Sequence, residues 1–403
     1  MSGTFLVVIS GEDEPGITTS VLRGLQANDI IIDVEQIRTD GMLTLHFVLE
    51  SKTGIESSAL MALLKMQLQA FNVDISVHNI TTRSPTMSES QLVVTLMSQK
   101  LLAHDFLTIS STISSSGANI DTIRRISHYP VTALELHVSK GNLQQLRTKL
   151  GFVANEQHID VAVQAGSLQR RGQHLIVLDV DSTLIHQEVI DLLGKEAGVE
   201  DEISRITERA MRGELDFADS LQQRVALLRG LDAHLLSGLR EKITLAPGAK
   251  TLCRVLKYLD YRIALVSGGF SFIVSELADE LHVDAFRSNT LEVQDGVLTG
   301  GLVGPIIDRE SKAQSLKELA GEFGIPLERT IAVGDGANDI DMLNTAGLGI
   351  AFNAKPLVRK QADTSLNVPY LDSLLYLLGI TRSEIEQVNL ELGASSFPSL
   401  DTN

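Results

Sequence analysis

At 403 residues and 43% hydrophobic, the chain can fill the cores of two or three domains, while a formal charge of −17 opposes binding to nucleic acid or to an anionic membrane. A single cysteine, Cys253, excludes an intrachain disulfide and reads as a small buried hydrophobe, and the 10 histidines lack zinc-site spacing. No window reaches the roughly 18 uninterrupted apolar residues of a membrane span, and no leader-like segment opens the chain, so a cytoplasmic protein is expected.

The first 165 residues read as two copies of one unit. Residues 5–9 predict a strand, Asp13-Glu14-Pro15-Gly16 a turn, and 17–27 a helix. A hairpin at 30–39 and 42–50 turns about Asp40-Gly41, and a helix at 56–71 and a strand at 74–80 follow. The second βαββαβ series has strands at 92–96, 121–127, 132–139 and 158–164, with helices at 106–115 and 143–150. Leu6 matches Leu92, Ile32 matches Ile120 and Leu45 matches Leu134, at offsets of 86, 88 and 89 residues. So steady a spacing marks an internal repeat. A loop at 83–89 separates the copies, and 165–172, with two glycines and two arginines, reads as the linker to the rest.

Each copy is similar to the ACT domain, a small ferredoxin-like module that often binds amino acids where copies meet. The resemblance makes Asp13 and Gly16, in the loop before the first helix, candidates for an effector site, with serine as the candidate effector. The second copy has Ser98-Gln99-Lys100-Leu101-Leu102-Ala103 there, with neither Pro nor Gly, and reads as an assembly module. Sheet edges exposed in such units make a homodimer the default expectation.

The second half carries four clusters in order. Apolar runs at 175–178, 263–266 and 330–333 feed Asp179-Val180-Asp181-Ser182-Thr183, Ser267-Gly268-Gly269 and Gly334-Asp335-Gly336-Ala337-Asn338-Asp339; Lys312 lies between the last two. Such runs predict parallel strands whose ends share one sheet edge. A carboxylate such as Asp179 can attack phosphorus, and one two residues on, Asp181, can protonate the leaving alcohol and then take a proton from water. Acids beside a phosphate dianion need a hard cation, which points Asp179, Asp181 and Asp335 at magnesium. Lys312 and the Ser267 hydroxyl would grip the phosphate oxygens.

This ordered set resembles the haloacid dehalogenase phosphatase superfamily, whose D-x-D-x-[TV] signature the first cluster fits. The resemblance implies a doubly wound parallel α/β sheet (173–187 and 245–380), interrupted by a helical cap at 188–244, preceded by ACT-like domains at 1–83 and 90–165, and followed by a tail at 381–403. It assigns Asp179 as nucleophile and Asp181 as acid and base. Ser267, the Gly268 amide and Lys312 become the phosphate grip, and Asn338 and Asp339 orient the group. In the cap, helical stretches such as 210–228 predominate, and the last core helix is expected at 371–378. Glu188, Met211, Phe217 and Arg224 resemble the substrate residues of members that act on phosphoserine. An amino-acid phosphate offers an ammonium for a carboxylate, Glu188, and a carboxylate for a guanidinium, Arg224. Met211 and Phe217 would close an apolar lid. The implied reaction is hydrolysis of O-phospho-L-serine to serine and phosphate, the last step of the phosphorylated route to serine.

Overall fold

The computed structural model describes residues 3–81, 92–166, 170, 172, 174–212 and 214–393, so the loop expected at 83–89 and, of the tail expected at 381–403, residues 394–403 lie outside the described residues. The first module forms one compact unit, and the rest of the chain another. Module 1 runs β1 (Gly3–Glu12), α1 (Ile17–Arg23), β2 (Ile30–Thr39), β3 (Met42–Ser51), α2 (Ser57–Gln67) and β4 (Val73–Asn79), giving an antiparallel sheet in the order β2-β3-β1-β4. Alternation along β1 and β3 buries Phe5, Val7, Ile9, Leu43, Leu45, Phe47 and Leu49 with Ile17, Val21, Leu60 and Leu64 of the helices. At the edge, β2 is exposed along all 10 residues.

Module 2 repeats the topology: β5 (Leu92–Ser98), α3 (Ala103–Ser115), β6 (Asn119–Ser127), β7 (Thr132–Ser139), α4 (Leu143–Gln157) and β8 (Asp160–Ala165), ordered β6-β7-β5-β8. Here the two copies part. In β5, Leu92 to Met97 are all buried, because both faces of this sheet are covered. Leu92, Val94 and Leu96 pack with the module's own helices. Met97, Ile126, Val131, Ala133 and Ala162 instead join the apolar core of the catalytic half. Arg170, within the stretch read as linker, is buried at this junction. Its guanidinium donates to Glu135 (2.5 Å) and Gln164 (3.1 Å) of module 2 and to the Leu377 carbonyl (2.8 Å) of the catalytic half.

The catalytic half begins with β9 (Leu175–Leu178). Its cap follows: α5 (Val189–Ala197), α6 (Glu200–Met211), α7 (Phe217–Ala226) and α8 (Leu235–Gly238). The chain leaves and re-enters the core through an Ile185–Leu245 bridge and a His186 amide bond to the Thr244 carbonyl (3.0 Å). Then come α9 (Ala249–Tyr258), β10 (Arg262–Phe270), α10 (Ser271–Leu281), a β11 (Ala285–Gln294) and β12 (Val297–Val303) hairpin, α11 (Arg309–Glu322) and β13 (Thr330–Gly334). The chain closes with α12 (Ile340–Thr345), β14 (Leu348–Phe352), α13 (Pro356–Gln361), β15 (Thr364–Leu366), α14 (Leu374–Leu377) and α15 (Arg382–Glu391). The sheet order is β12-β11-β10-β9-β13-β14-β15, parallel except for β12. Ile176 and Leu178 pack on one face, Leu175 and Val177 on the other, as a doubly covered sheet requires. Since β10 and β13 flank β9 on opposite sides, a crevice opens at the carboxyl end of β9, where such sheets bind ligands.

Two expectations need correction. The helical stretch at 210–228 is two helices: α6 stops at Met211, and Asp216 caps a fresh start by accepting from the Asp219 amide (2.7 Å). Nor is 371–378 the last helix. Thr381 and Glu384 form a capping box that starts α15, and Ile385 and Val388 bury its inner face.

Candidate active site

The three strand ends and α11 bring the four clusters together. Past Leu178, the chain leaves the sheet and turns at Ser182, whose φ of 59° is left-handed. This turn lets Asp179 and Asp181, which would share a face of a straight strand, both reach one cavity. That cavity, of about 540 Å³, is lined by Asp179, Asp181, Gly268, Asp335 and Asn338 from the core and by Glu188, Phe217 and Arg224 from the cap.

Behind Asp179, and not itself lining the cavity, Lys312 is wholly buried and donates to Asp179 Oδ1 and Asp339 Oδ1, each at 2.7 Å. Burial opposes the charge on Lys312, but the two ion pairs outweigh it and raise the pKa above the ordinary value. Asp339 also accepts from the Gly336 amide (2.9 Å), so it orients the lysine and the turn around Asp335. Burial, then the Asp339 charge, pushes the Asp179 carboxyl well up despite Lys312. For Asp335 the same two causes give about 7, and Thr183 donates to its Oδ1 (3.2 Å). Asp181 is raised to about 7 by burial and by Glu188, while its Oδ1 accepts from the Val189 amide (3.1 Å).

Ser267 is buried on β10, and its Oγ accepts from the Gly269 amide (2.8 Å), leaving its own proton free to donate. A Cβ on Gly269 would overlap Asp181 Oδ2, and one on Gly268 would lie 2.7 Å from Phe217 Cζ. Glycine is therefore required where the acid and the cap approach this loop. The Gly268 carbonyl is held by Asn289 Nδ2 (2.8 Å), and Asn289 Oδ1 accepts from the Ile307 amide (2.8 Å).

On the cap side, Ser182 Oγ donates to Glu188 (2.8 Å), fixing that carboxylate at the cavity wall. Arg224 is 9% exposed. Its one hydrogen bond among the described residues is from Nε to the Ser220 carbonyl (3.3 Å), so both terminal nitrogens are left to the cavity. Burial lowers its pKa, against the pull of Glu188, Asp191 and Asp181. Met211 ends α6, and its side chain lies outside the described residues. Asp13 pairs with Arg38 (2.9 Å), and Gly16 caps α1 with φ 103°, far from the clusters in sequence.

Sequence reasoning missed Asn289, which no motif flags, and the lining residues Asp191, Arg309 and Lys355. It also missed the contact of Thr183 with Asp335, although the signature marks the threonine. Oxygens of Asp179, Asp335 and Asp339 lie within 4.8 Å of one another, a hard donor set that suits a divalent cation. The Asp181 carboxylate is not in this group, so its contact with a metal would fall to its main-chain carbonyl.

The profile of the haloacid dehalogenase-like hydrolases matches residues 176–344, and ACT-domain profiles match 3–78 and 90–164. A phosphoserine phosphatase of Streptomyces coelicolor is 46% identical over 385 residues, 95% of this chain and 94% of that one. One of Mycobacterium tuberculosis is 45% identical over 385 residues, 94% of each. A probable phosphoserine phosphatase from Vibrio cholerae superposes with a TM-score of 0.56 at 30% identity, covering 74% of this chain and 88% of that one. Among the described residues no helix is long and apolar enough to cross a membrane.

Proposed function

The chain belongs to the phosphoserine phosphatases of the haloacid dehalogenase-like hydrolases, and we propose that its site hydrolyses O-phospho-L-serine to L-serine and phosphate through Asp179. The observation that carries the substrate is the pairing of Glu188 with a buried Arg224 whose terminal nitrogens have no protein partner among the described residues. An ammonium and a carboxylate on one small phosphate monoester satisfy both.

In the reaction an Asp179 oxygen forms a bond to phosphorus while the bond from phosphorus to the serine oxygen breaks. Asp181 delivers its proton to that oxygen, and its pKa of about 7 keeps a protonated fraction available at neutral pH. Serine departs, leaving an acyl phosphate on Asp179. Asp181, now a carboxylate, takes a proton from water as the water oxygen attacks phosphorus, which frees phosphate and restores Asp179. Ser267 Oγ, the Gly268 amide and Lys312 hold the equatorial oxygens, and Asn338 lines the same wall. Asp179, Asp335 and the Asp181 main-chain carbonyl would hold magnesium, which neutralises the clustered acids and the phosphate. Phe217, against Gly268, excludes water on the cap side.

Two further readings concern assembly and control. A homodimer is supported by β2, whose exposed Ile30, Ile31, Ile32, Val34 and Ile37 sit on an unpaired sheet edge. Serine acting at module 1 is supported by Gly16, whose left-handed φ leaves the loop backbone open beside Asp13. The test of the catalytic reading is phosphate release from O-phospho-L-serine with magnesium, with a chelator, and with the D- and threonine analogues. Metal-dependent release that favours the L-serine ester is expected. Release only from an aryl phosphate would overturn the assignment of the cap.

A further inference from the structure

Module 2 does more than sit beside the catalytic half, because a carboxylate from it is built into the joint. Asp160 heads β8 and is 2% exposed. Its Oδ2 accepts from the main-chain amides of Asn367 (2.7 Å) and Val368 (2.9 Å), and its Oδ1 from Asn367 Nδ2 (2.8 Å). Three donors on one buried carboxylate supply the bonding that a buried charge requires. All three belong to the turn that follows β15, the last strand of the catalytic sheet.

That turn is one step from the metal loop. The Leu366 carbonyl accepts from the Asn353 amide (2.8 Å), just past the end of β14, and the Lys355 amide donates to the Asp335 carbonyl (3.4 Å). Thr364 Oγ1 also donates to the Val161 carbonyl (3.3 Å), and Arg147 of α4 pairs with Asp363 (2.5 Å), which accepts from the Gly349 amide (3.0 Å). Module 2 thus grips β15 at both ends, and β15 presents the 353–355 segment to Asp335.

We infer that Asp160 is a positioning residue for the reaction, setting the turn at 366–368 and through it the backbone that holds Asp335. Module 2, which falls in the same compact unit as the catalytic half, is in this account a fixed strut of the active site. The inference rests on the reading above that Asp335 holds the metal.

The test uses the full chain, with D160A, D160N and N367A beside the wild type. Three quantities are read: magnesium affinity by calorimetric titration with magnesium chloride, amide exchange at Asn353 and Lys355, and kcat against KM for phosphoserine. Loss of a direct outer-shell partner typically costs about 10- to 100-fold in metal affinity; one layer further out, D160A is expected to cost about fivefold. Its exchange at Asn353 and Lys355 should rise and kcat should fall, with KM unchanged, since Glu188 and Arg224 are untouched. D160N keeps an acceptor for the two main-chain amides and should stay within twofold of wild type. N367A, which loses one bond, should shift affinity about twofold in the same direction, and it carries the test if D160A does not fold. Wild-type magnesium affinity and exchange in D160A, or in N367A alone, would overturn the inference even if the melting temperature fell. A wild-type chain that binds no magnesium would overturn both the metal assignment and the strut.

Discussion

Replacing Arg224 with alanine separates recognition of the substrate from the chemistry. The guanidinium is 9% exposed and, among the described residues, spends only Nε on the protein, so its two terminal nitrogens can form a forked pair with the substrate carboxylate. Each charge-assisted bond in so desolvated a place contributes about 1.5 kcal/mol, so losing both costs about 3 kcal/mol, on the order of 150-fold in kcat/KM. The nearby Glu188 and Asp191, no longer offset by a cation, push the carboxylate away and add to the loss. Phosphoethanolamine keeps the ammonium and lacks the carboxylate, so R224A should change its kcat/KM by less than about threefold. The assay is steady-state phosphate release from both esters under matched magnesium. Equal losses on the two substrates would show that Arg224 supports the cap and would refute its pairing with the carboxylate.

Three other outcomes follow from the structure. G269A places a methyl group on Asp181 Oδ2, so the first, burst turnover of phosphoserine should slow about 100-fold or more, while the burst of 4-nitrophenol from 4-nitrophenyl phosphate, whose leaving group needs no proton, slows much less. Parallel losses would count against Asp181 as the acid. Asp372 is buried, with no hydrogen-bond partner on either oxygen among the described residues and with Arg382 and Tyr376 nearby, and burial pushes its pKa to about 6. A carboxyl raised in the folded state binds its proton more tightly there, so stability falls as pH rises from about 4 through 6, by about 3 kcal/mol in all. D372N should therefore melt above wild type at pH 7.5, with the gap closing by pH 4; parallel melting curves would contradict this. V34K puts a charge on the β2 edge and should convert a dimer to monomer by light scattering, and an unchanged mass would remove β2 from the interface.

Much of this site was legible in the sequence, because phosphoryl chemistry needs many charges that folding alone would not cluster. The runs 175–178 and 330–333 are strand to the residue or nearly so, since a buried parallel strand is a short apolar run that ends where polar loop chemistry begins. The repeat was legible too, and so was the departure of the second copy's loop, yet the double covering of its sheet was overlooked although it was written there. Leu92-Val93-Val94-Thr95-Leu96-Met97 is apolar on both faces almost throughout, the mark of a strand covered twice, and Thr95 there faces the Arg170 guanidinium. Asn289, Asp160 and Arg170 gave no signal, since each is a single polar residue whose partners, Gln164 beside Arg170 apart, are 18 or more positions away along the chain. The break between α6 and α7 was hidden by helical residues on both sides of Asp216, whose cap outweighed their propensity.

The most direct test of the central claim is to quench turnover of phosphoserine labelled in its phosphate with acid, reduce with borohydride, and map the modified peptide by mass spectrometry. Acid-stable, hydroxylamine-labile label at position 179, read as homoserine after reduction, is the predicted result. Label on a serine, or burst turnover with no label at Asp179, would contradict the account.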